Sequence, residues 1–320
     1  MVFCRTCATV TAAILMTGLA ACSAGDESDA APLTAVSSIP AATPEDSPTS
    51  AAPARRPGTR AATPAAKGAP QRTFTVAVRH LDLSRSGREL PTTVWYPKDG
   101  EGPFPLVVFS HGLTAQPSDY ADLIKRWARA GFVVAAAAYP HTSHGVEDYD
   151  PLDVTNQPAD ASSVLTSVLA LNHRAGDPLE NRLDTERIGA AGHSAGGITT
   201  VGLFSSNRDD RLTAGIVMAG EQVLPAPYSG PAAAMLFVHG KLDKTVSYRD
   251  GFAAYDAVPW PKAMMSITKG GHATTKSDFG VVAATTTDFW RWSLYDDPAA
   301  KSRLNADATK GGLATLTNRL

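Results

Sequence analysis

Hydrophobic and polar positions alternate with a period of two at the start of the folded region, which predicts strands. FTVAVRH (74–80) has this alternation, and after the Ser-Gly turn at 86–87 the stretch TTVWY (92–96) is again typical of a strand. We expect these two strands to pair as an N-terminal antiparallel hairpin. The next run, PLVVFS (105–110), is apolar throughout, as in a strand whose two faces are both covered.

From residue 117 onward, helical and strand patterns alternate. Pro117 suits the first turn of a helix that Gly131 ends, and FVVAAAAY (132–139) is the next buried strand. The alternation then continues through a helix from Pro158, strand RIGAAG (187–192), a helix after Ser194, strands 214–220 and 233–240, a helix at 247–257, strand 263–270, a helix at 278–295 and a short helix after Asp297. Apolar strands alternating with helices predict the α/β class, with a mostly parallel central sheet and helices on both faces. In such sheets, reacting groups collect on loops beyond the carboxyl ends of the strands.

The first 22 residues have a different pattern, typical of an export signal. Arg5 precedes a short apolar stretch that is too short to span a bilayer, and the segment ends Leu19-Ala20-Ala21-Cys22. This ending resembles a bacterial lipobox, whose cysteine is acylated and becomes the mature N-terminus. We therefore expect residues 1–22 to be a lipoprotein signal peptide and Cys22 to anchor the protein to the outer face of the bacterial cell membrane. The alternative is an ordinary signal peptide and a secreted protein.

Composition separates a tether from the folded domain. Residues 23–70 are dominated by Ala, Pro, Ser and Thr, with too few large apolar side chains to offset the entropy of ordering, so we expect a disordered tether. Residues 71–320 then form the catalytic domain. The 320-residue chain has a net charge of −2, and without a basic excess we expect no nucleic-acid partner. Of its three cysteines, only Cys22 would remain after removal of the signal peptide, so we expect no internal disulfide in the mature chain.

Ser194 is the candidate nucleophile. It lies in GAAGHSAGG (189–197), between a predicted strand and a predicted helix, and Gly192 and Gly196 flank it where a tight turn leaves no room for a Cβ. This is the context of a nucleophile elbow. Because a serine hydroxyl is a poor nucleophile at neutral pH, it needs a base, and the base needs an orienting acid.

Two residues downstream have the positions that the acid and the base require. Asp243 follows the predicted strand 233–240, and His272 follows the predicted strand 263–270 behind two glycines. We predict that they complete a catalytic triad with Ser194. The alternatives are a turn or helix-capping role for the carboxylate and no role for the loop histidine.

The oxyanion hole is predicted from two backbone N–H groups. Ala195 begins the helix after the serine, and Leu113 lies in the Ser-His-Gly-Leu-Thr loop after strand 105–110. The alternative is that this loop is only a glycine turn leading into a helix.

Several stretches together carry a family resemblance: WYP, FPLVVFSHGLTA, GFVVAAAAYP, RIGAAGHSAGG, HGKLDKTV and GGH. Over residues 72–295 the chain resembles the α/β-hydrolase superfamily, in its dienelactone hydrolase, cutinase-like and platelet-activating-factor acetylhydrolase-like branch. The resemblance implies the α/β-hydrolase fold and a serine carboxylester hydrolase that works through an acyl-enzyme and needs no cofactor.

The chain departs from this branch at informative positions. Dienelactone hydrolases use a cysteine nucleophile, where this chain has Ser194. Polyester-degrading cutinases usually carry Met after the nucleophile, Trp after the following strand and a C-terminal disulfide. Here Ala195 and Gly220-Glu221 replace the first two and the disulfide is missing, so the resemblance leaves polyester hydrolysis open and gives it little support. In the acetylhydrolase branch the acid follows the earlier strand, which makes Glu221 an alternative to Asp243. We favour Asp243, because Gly-x-x-Asp-x-x-Val after this strand is the commoner arrangement.

The remaining candidates qualify the predicted function. His141 and His144 have no third ligand at recognisable spacing, so we expect no metal, and the acidic run EDYDPLD (147–153) is interpreted as a solvated loop. The sequence contains no long insertion of the kind that forms a lid. An open cleft favours short- to medium-chain esters as substrates, either small molecules or lipids, and we expect their hydrolysis at the cell surface. The alternatives are a serine peptidase of the same fold and a non-catalytic surface binding protein on a hydrolase scaffold.

Overall fold

The computed structural model of the chain describes residues 68–320. The predicted signal peptide, its Cys22 and residues 23–67 of the predicted tether lie outside the described residues, so what the sequence indicates for them stays a prediction. Within residues 68–320, no helix has the length and apolarity needed to cross a membrane.

One mixed sheet organises the described part of the chain. Its nine strands are β1 (Val76–Arg85), β2 (Arg88–Pro97), β3 (Phe104–Ser110), β4 (Val133–Ala137), β5 (Leu183–His193), β6 (Leu212–Met218), β7 (Ala234–Gly240), β8 (Lys262–Ile267) and β9 (Ala314–Arg319). Their order across the sheet is β1-β2-β4-β3-β5-β6-β7-β8-β9. Strands β4, β3, β5, β6, β7 and β8 are parallel, whereas the β1–β2 hairpin and β9 add antiparallel edges.

Helices cover both faces of this sheet. The described residues form α1 (Ala121–Arg129), α2 (Gln157–Ala170), α3 (Ala195–Leu203), α4 (Tyr248–Ala257), α5 (Lys276–Tyr295) and α6 (Pro298–Thr309). Alternate residues of β3 contribute to separate cores, because successive strand side chains point to opposite faces. Leu106 and Val108 join the core that includes α2, α3 and α4, while Val107 and Phe109 join the core that includes α1, α5 and α6.

A buried ion cluster ties the hairpin to the start of α2. The Arg88 guanidinium donates to Asp153 over 2.6 and 2.9 Å and to Asp160 over 2.8 to 3.1 Å, and Arg85 Nε donates to Asp160 over 2.7 Å. The Asp160 side chain is fully buried and that of Asp153 is 4% exposed. The interpretation of residues 147–153 as a solvated loop is therefore wrong for Asp153, because a cation from a distant strand neutralises it.

The predicted α/β architecture is confirmed in its hairpin, its parallel core and its helices on both faces. The predicted elements shift by a few residues at their ends, and the C-terminal region differs more. After the predicted short helix, α6, the chain returns as β9 and pairs antiparallel with β8, an edge strand that the sequence analysis missed.

Candidate active site

Ser194 lies at the turn between β5 and α3 in a strained backbone conformation, with φ of 57° and ψ of −121°. A Cβ on Gly192 would lie 2.0 Å from Gly196 O, and a Cβ on Gly196 would lie 1.9 Å from Ser110 O. The prediction that neither position has room for a side chain is confirmed. The turn therefore holds the serine at the carboxyl end of the sheet through close backbone packing.

The structure brings the three predicted side chains together. His272 Nε2 lies 2.8 Å from Ser194 Oγ, and His272 Nδ1 lies 2.8 Å from Asp243 Oδ2. A carboxylate only accepts hydrogen bonds, so in the neutral imidazole Nδ1–H donates to Asp243 and Nε2 accepts from the serine hydroxyl. The imidazole is 23% exposed and the Asp243 side chain is fully buried, so the histidine meets solvent on one side and its acid does not.

Asp243 is held by more than the histidine. Its Oδ1 accepts from Thr245 N at 2.8 Å and Val246 N at 3.0 Å. On the other side, His239 Nε2 donates to Val246 O at 3.0 Å and lies 3.3 Å from Asp243 Oδ2. Burial lowers the pKa of His239, which keeps this ring neutral. The carboxylate thus has a fixed orientation toward His272.

The two predicted oxyanion-hole donors are the main-chain N–H groups of Leu113 and Ala195. Among the described residues neither Leu113 N–H nor Ala195 N–H has a hydrogen-bond acceptor. Ala195 follows the serine directly, and a Cβ placed on Gly112, just before Leu113, would lie 3.2 Å from Ser194 Cβ. Both N–H groups are thus close to the serine and available to a bound group.

His111 orients the Leu113 N–H through the intervening peptide. Its Nε2 accepts from Tyr139 N at 3.2 Å, so its Nδ1 carries the hydrogen and donates to Gly112 O at 2.8 Å. Because a trans peptide points its C=O and N–H in opposite directions, fixing Gly112 O also fixes Leu113 N–H. Burial lowers the pKa of His111, consistent with a neutral ring that donates at one nitrogen and accepts at the other.

The alternative acid, Glu221, is not hydrogen-bonded to His272, whose Nδ1 is occupied by Asp243. Glu221 is half-buried, and burial, with a smaller contribution from the negative charge of Asp250, raises the pKa of its carboxyl. Of the other polar candidates, His141 Nδ1 bonds to Asp148 O at 3.0 Å and the His144 main-chain N–H donates to Ala115 O at 3.2 Å, so neither contact involves a triad residue. Residues 68–320 contain no group of three or more His, Cys, Asp or Glu side chains suited to a metal ion.

Sequence reasoning missed several supporting residues, His111, His193, His239 and Tyr120 among them. The three histidines follow or end apolar strands, each next to a glycine or to the serine, and this position is the signal that marks them in the sequence. In the sequence, Tyr120 is marked only by its helical spacing from the apolar residues Leu123, Ile124 and Trp127. Its hydroxyl instead lies 2.9 Å from His193 Nδ1.

A cavity of about 330 Å³ lies beside the histidine loop. Its lining includes the apolar side chains of Leu123, Met218, Phe279 and Val282, the acidic residues Asp119 and Asp122, and the neighbours of His272, Ala273 and Thr274. This volume is at the small end of the range of ligand pockets, about 300–1,000 Å³.

A mostly parallel sheet covered on both faces, with a strained serine turn and a Ser–His–Asp contact beyond its carboxyl edge, defines an α/β-hydrolase. Residues 49–303 match the sequence model of the family described as PETase, PET hydrolase-like. The chain belongs to this PET hydrolase-like family, and the predicted membership of the α/β-hydrolase superfamily is confirmed. It is accordingly a hydrolase of the ester-cleaving class. No curated protein matches the chain.

Proposed function

We propose that this protein is a serine carboxylester hydrolase that acts through an acyl-enzyme on short- to medium-chain esters. One observation carries the proposal: an unbroken hydrogen-bond chain runs from Ser194 Oγ through the His272 imidazole to the buried Asp243 carboxylate. Such a chain gives a serine hydroxyl the base it lacks at neutral pH. No step requires a cofactor.

Acylation begins with attack of Ser194 Oγ on the ester carbonyl carbon while His272 Nε2 takes the hydroxyl proton. Asp243 stabilises the imidazolium that forms and keeps its orientation. The N–H groups of Leu113 and Ala195 donate to the oxyanion of the tetrahedral intermediate. His272 Nε2–H then protonates the leaving alkoxide, which departs as the alcohol and leaves Ser194 acylated.

Deacylation repeats the sequence with water as nucleophile. His272 removes a proton from the water as its oxygen attacks the acyl carbon, and the same two N–H groups stabilise the second oxyanion. Protonation of Ser194 Oγ by the imidazolium releases the carboxylic acid and restores the free enzyme.

The size and lining of the cavity support the substrate class. Its apolar lining residues suit an uncharged alkyl or aryl group of the ester, Asp119 and Asp122 in the same lining disfavour an anionic group, and its modest volume favours small groups over long acyl chains. Family membership also makes aromatic polyester a substrate to test, although Ala195 and Glu221 stand where polyester-degrading relatives have Met and Trp. Small soluble esters remain the substrates that we propose.

A substrate panel with a covalent probe tests the proposal. We expect native protein to hydrolyse p-nitrophenyl esters from acetate to octanoate, with the shorter chains preferred, and the Ser194→Ala variant to lose this activity. A fluorophosphonate should modify Ser194, as located by mass spectrometry of the labelled peptide. Equal background rates for both proteins would favour the binding protein, turnover of peptide amides alone would favour the peptidase, and label on another residue would contradict the assignment of Ser194 as nucleophile.

We also propose that the enzyme works at the outer face of the cell membrane, anchored by a lipidated Cys22. The lipobox-like ending of residues 1–22 supports this location. Expression of the full chain and of its Cys22→Ala variant in a bacterial host, followed by fractionation, tests it. Membrane-associated activity that shifts to the medium in the variant supports an anchor, and medium activity in both supports simple secretion.

A further inference from the structure

Two side chains outside the triad connect its histidine loop to its oxyanion loop. Tyr120 Oη accepts from Gly112 N at 3.1 Å and lies 2.9 Å from His193 Nδ1. On the other side of the ring, His193 Nε2 lies 2.8 Å from the main-chain oxygen of His272. We call these two residues the Tyr120–His193 bridge.

The hydrogen positions in this bridge have one consistent assignment. A main-chain carbonyl only accepts, so His193 Nε2 must carry a hydrogen and donate to His272 O. Burial lowers the pKa of His193 to about 4, so the ring is neutral near pH 7 and its Nδ1 is an acceptor. Tyr120 therefore donates its hydroxyl hydrogen to His193 and uses its oxygen lone pair for Gly112 N–H. With this assignment, each of the three hydrogen bonds in the bridge has one donor and one acceptor.

The sheet alone does not fix the two loops relative to each other. The Gly112 loop follows β3 and the His272 loop follows β8, and β5, β6 and β7 lie between these two strands. No ladder hydrogen bond joins β3 to β8 in this strand order. The bridge connects the two loops from positions between them: His193, at the end of β5, bonds to the His272 loop, and Tyr120, directly before α1, bonds to the Gly112 loop.

We infer that Tyr120 and His193 are positioning residues for ester hydrolysis, which hold the oxyanion loop and the His272 loop in register. The inference rests on the proposed function. Neither residue touches the reacting atoms in this arrangement: His193 acts on His272 through its main-chain oxygen, and Tyr120 acts on Leu113 through the preceding residue, Gly112. Correct spacing of base and oxyanion donors matters most in the transition state, so loss of the bridge lowers kcat and leaves substrate binding largely intact.

The Tyr120→Phe variant tests the bridge with the smallest change. Phenylalanine keeps the ring that packs on Phe109 and lines the cavity, and it removes only the hydroxyl. Because small misplacements of reacting groups cost up to about 10²-fold, we expect kcat for p-nitrophenyl butyrate to fall by between roughly 10- and 100-fold. The KM should stay close to that of the wild type.

Tyr295→Phe is the matched control. Like that of Tyr120, its hydroxyl has a main-chain partner: it is buried and donates to Gly131 O at 2.6 Å. Tyr295 ends the 20-residue helix α5 that begins just after His272, about 30 Å along the helix axis. We expect this variant to match the wild type in kcat and KM, with any change confined to thermal stability.

A pair of substitutions at residue 193 supplies a rescue. His193→Leu removes both hydrogen bonds, and we expect a loss of kcat at least as large as in Tyr120→Phe. His193→Gln restores an amide N–H that can donate to His272 O and an amide oxygen that can accept from Tyr120, so we expect it to recover most of the activity. Circular dichroism and thermal melts of each variant establish that the compared proteins are folded.

Particular outcomes would overturn the inference. A kcat for Tyr120→Phe equal to that of Tyr295→Phe, a change in KM with unchanged kcat, or equal losses in His193→Gln and His193→Leu would each contradict a positioning role. The Ser194→Ala variant in the same assay separates this result from the proposed function. If Ser194→Ala retains activity, the proposed function fails; if it is inactive while Tyr120→Phe is unimpaired, only the positioning role fails.

Discussion

Ser194 has a backbone conformation that an L-residue adopts only at a cost. Its φ of 57° with ψ of −121° lies in a region that glycine enters freely, and such strain costs on the order of 1–3 kcal/mol. The close packing of Gly192 and Gly196 against their neighbours enforces this geometry. The packing around Ser194 maintains this strain. We therefore expect a substitution that relieves it to raise stability and to lower activity.

Substitution of Ser194 by two small residues measures that strain. Both Ser194→Ala and Ser194→Gly remove the hydroxyl, but only glycine relieves the strained φ. Relief of the strain stabilises the glycine variant by about 1–3 kcal/mol, whereas the greater freedom of glycine in the unfolded chain costs about 0.5–1 kcal/mol. We therefore expect Ser194→Gly to be the more stable variant by about 1 kcal/mol. Urea unfolding of both variants provides the measurement, and a glycine variant less stable than the alanine variant would argue against strain at this turn.

The identity of the catalytic acid is also a question at the scale of one residue. Asparagine at position 243 keeps the size of the side chain but cannot stabilise the imidazolium, and its amide favours the wrong tautomer of His272. We expect Asp243→Asn to lower kcat by roughly 10³–10⁴-fold, the loss that such a change causes in other serine hydrolases. The measurement is kcat for p-nitrophenyl butyrate.

Glu221→Gln is the matched control for that loss. It makes the same carboxylate-to-amide change at the alternative acid, which has no hydrogen bond to His272 among the described residues. We expect its kcat to stay near that of the wild type. A large loss in Glu221→Gln, with Asp243→Asn still active, would transfer the acid role to Glu221.

At the scale of elements, the Arg88 ion cluster joins the hairpin to α2. Removal of Arg88 leaves Asp153 without its cation and leaves Asp160 with Arg85 alone, although both carboxylates are buried. Removal of one partner of a buried ion pair lowers the free energy of unfolding by about 3–5 kcal/mol. Because Arg85 still pairs with Asp160, we expect the loss in Arg88→Ala to be about 3 kcal/mol. The midpoint of urea unfolding measures this loss.

The exposed pair Arg72–Asp99 is the control for the buried cluster. Its side chains are 57% and 45% exposed, and an exposed ion pair contributes little to stability because water and salt screen it. We therefore expect Arg72→Ala to change the unfolding midpoint little. Similar losses in Arg88→Ala and Arg72→Ala would contradict a special role for the buried cluster.

The elements that the sequence predicted are those with a strong apolar pattern. The strand PLVVFS became β3 with every residue buried, whereas β9, ATLTNR, has one buried residue and four exposed ones. The hydrophobic pattern of β9 does not indicate a strand. The segment is a strand because its main chain pairs with β8. The buried Asp153 was missed for a related reason: its partner Arg88 lies 65 residues away in sequence.

At the scale of the whole molecule, the sequence predicted which reacting residues meet but not what holds them. Ser194, Asp243 and His272 each follow an apolar strand, and parallel strands end at one edge of a sheet, so their meeting follows from topology. The bridge of Tyr120 and His193 depends on hydrogen bonds to main-chain atoms. The position of His193 beside Ser194 is visible in the sequence, but no spacing there shows which main-chain atoms the two side chains meet, and only the folded chain reveals those contacts.

The C-terminal helices carry a charge arrangement that links global stability to pH. Asp288 on α5 forms two hydrogen bonds with Arg303 on α6, of 2.7 and 2.8 Å, and Asp307 lies beside the same carboxylate. Burial, and then the hydrogen bond and negative charge of Asp288, raise the pKa of Asp307 to about 6. Since its ordinary pKa is near 4, ionised Asp307 destabilises the fold above pH 6, and this cost fades as the pH falls from 6 to 4.

Asp307→Asn removes that cost. Because solvent screens a partly exposed carboxylate, we expect a gain of only about 1 kcal/mol at pH 8, which raises Tm by roughly 2–4 °C in a domain of this size. The gain should shrink between pH 6 and pH 4, where the wild-type carboxyl becomes protonated in the folded state and then in the unfolded state. Thermal melts of both proteins from pH 4 to pH 8 measure the difference. A gain that is independent of pH would mean that asparagine stabilises α6 for reasons unrelated to the charge of Asp288, because only the ionised carboxylate at position 307 repels it.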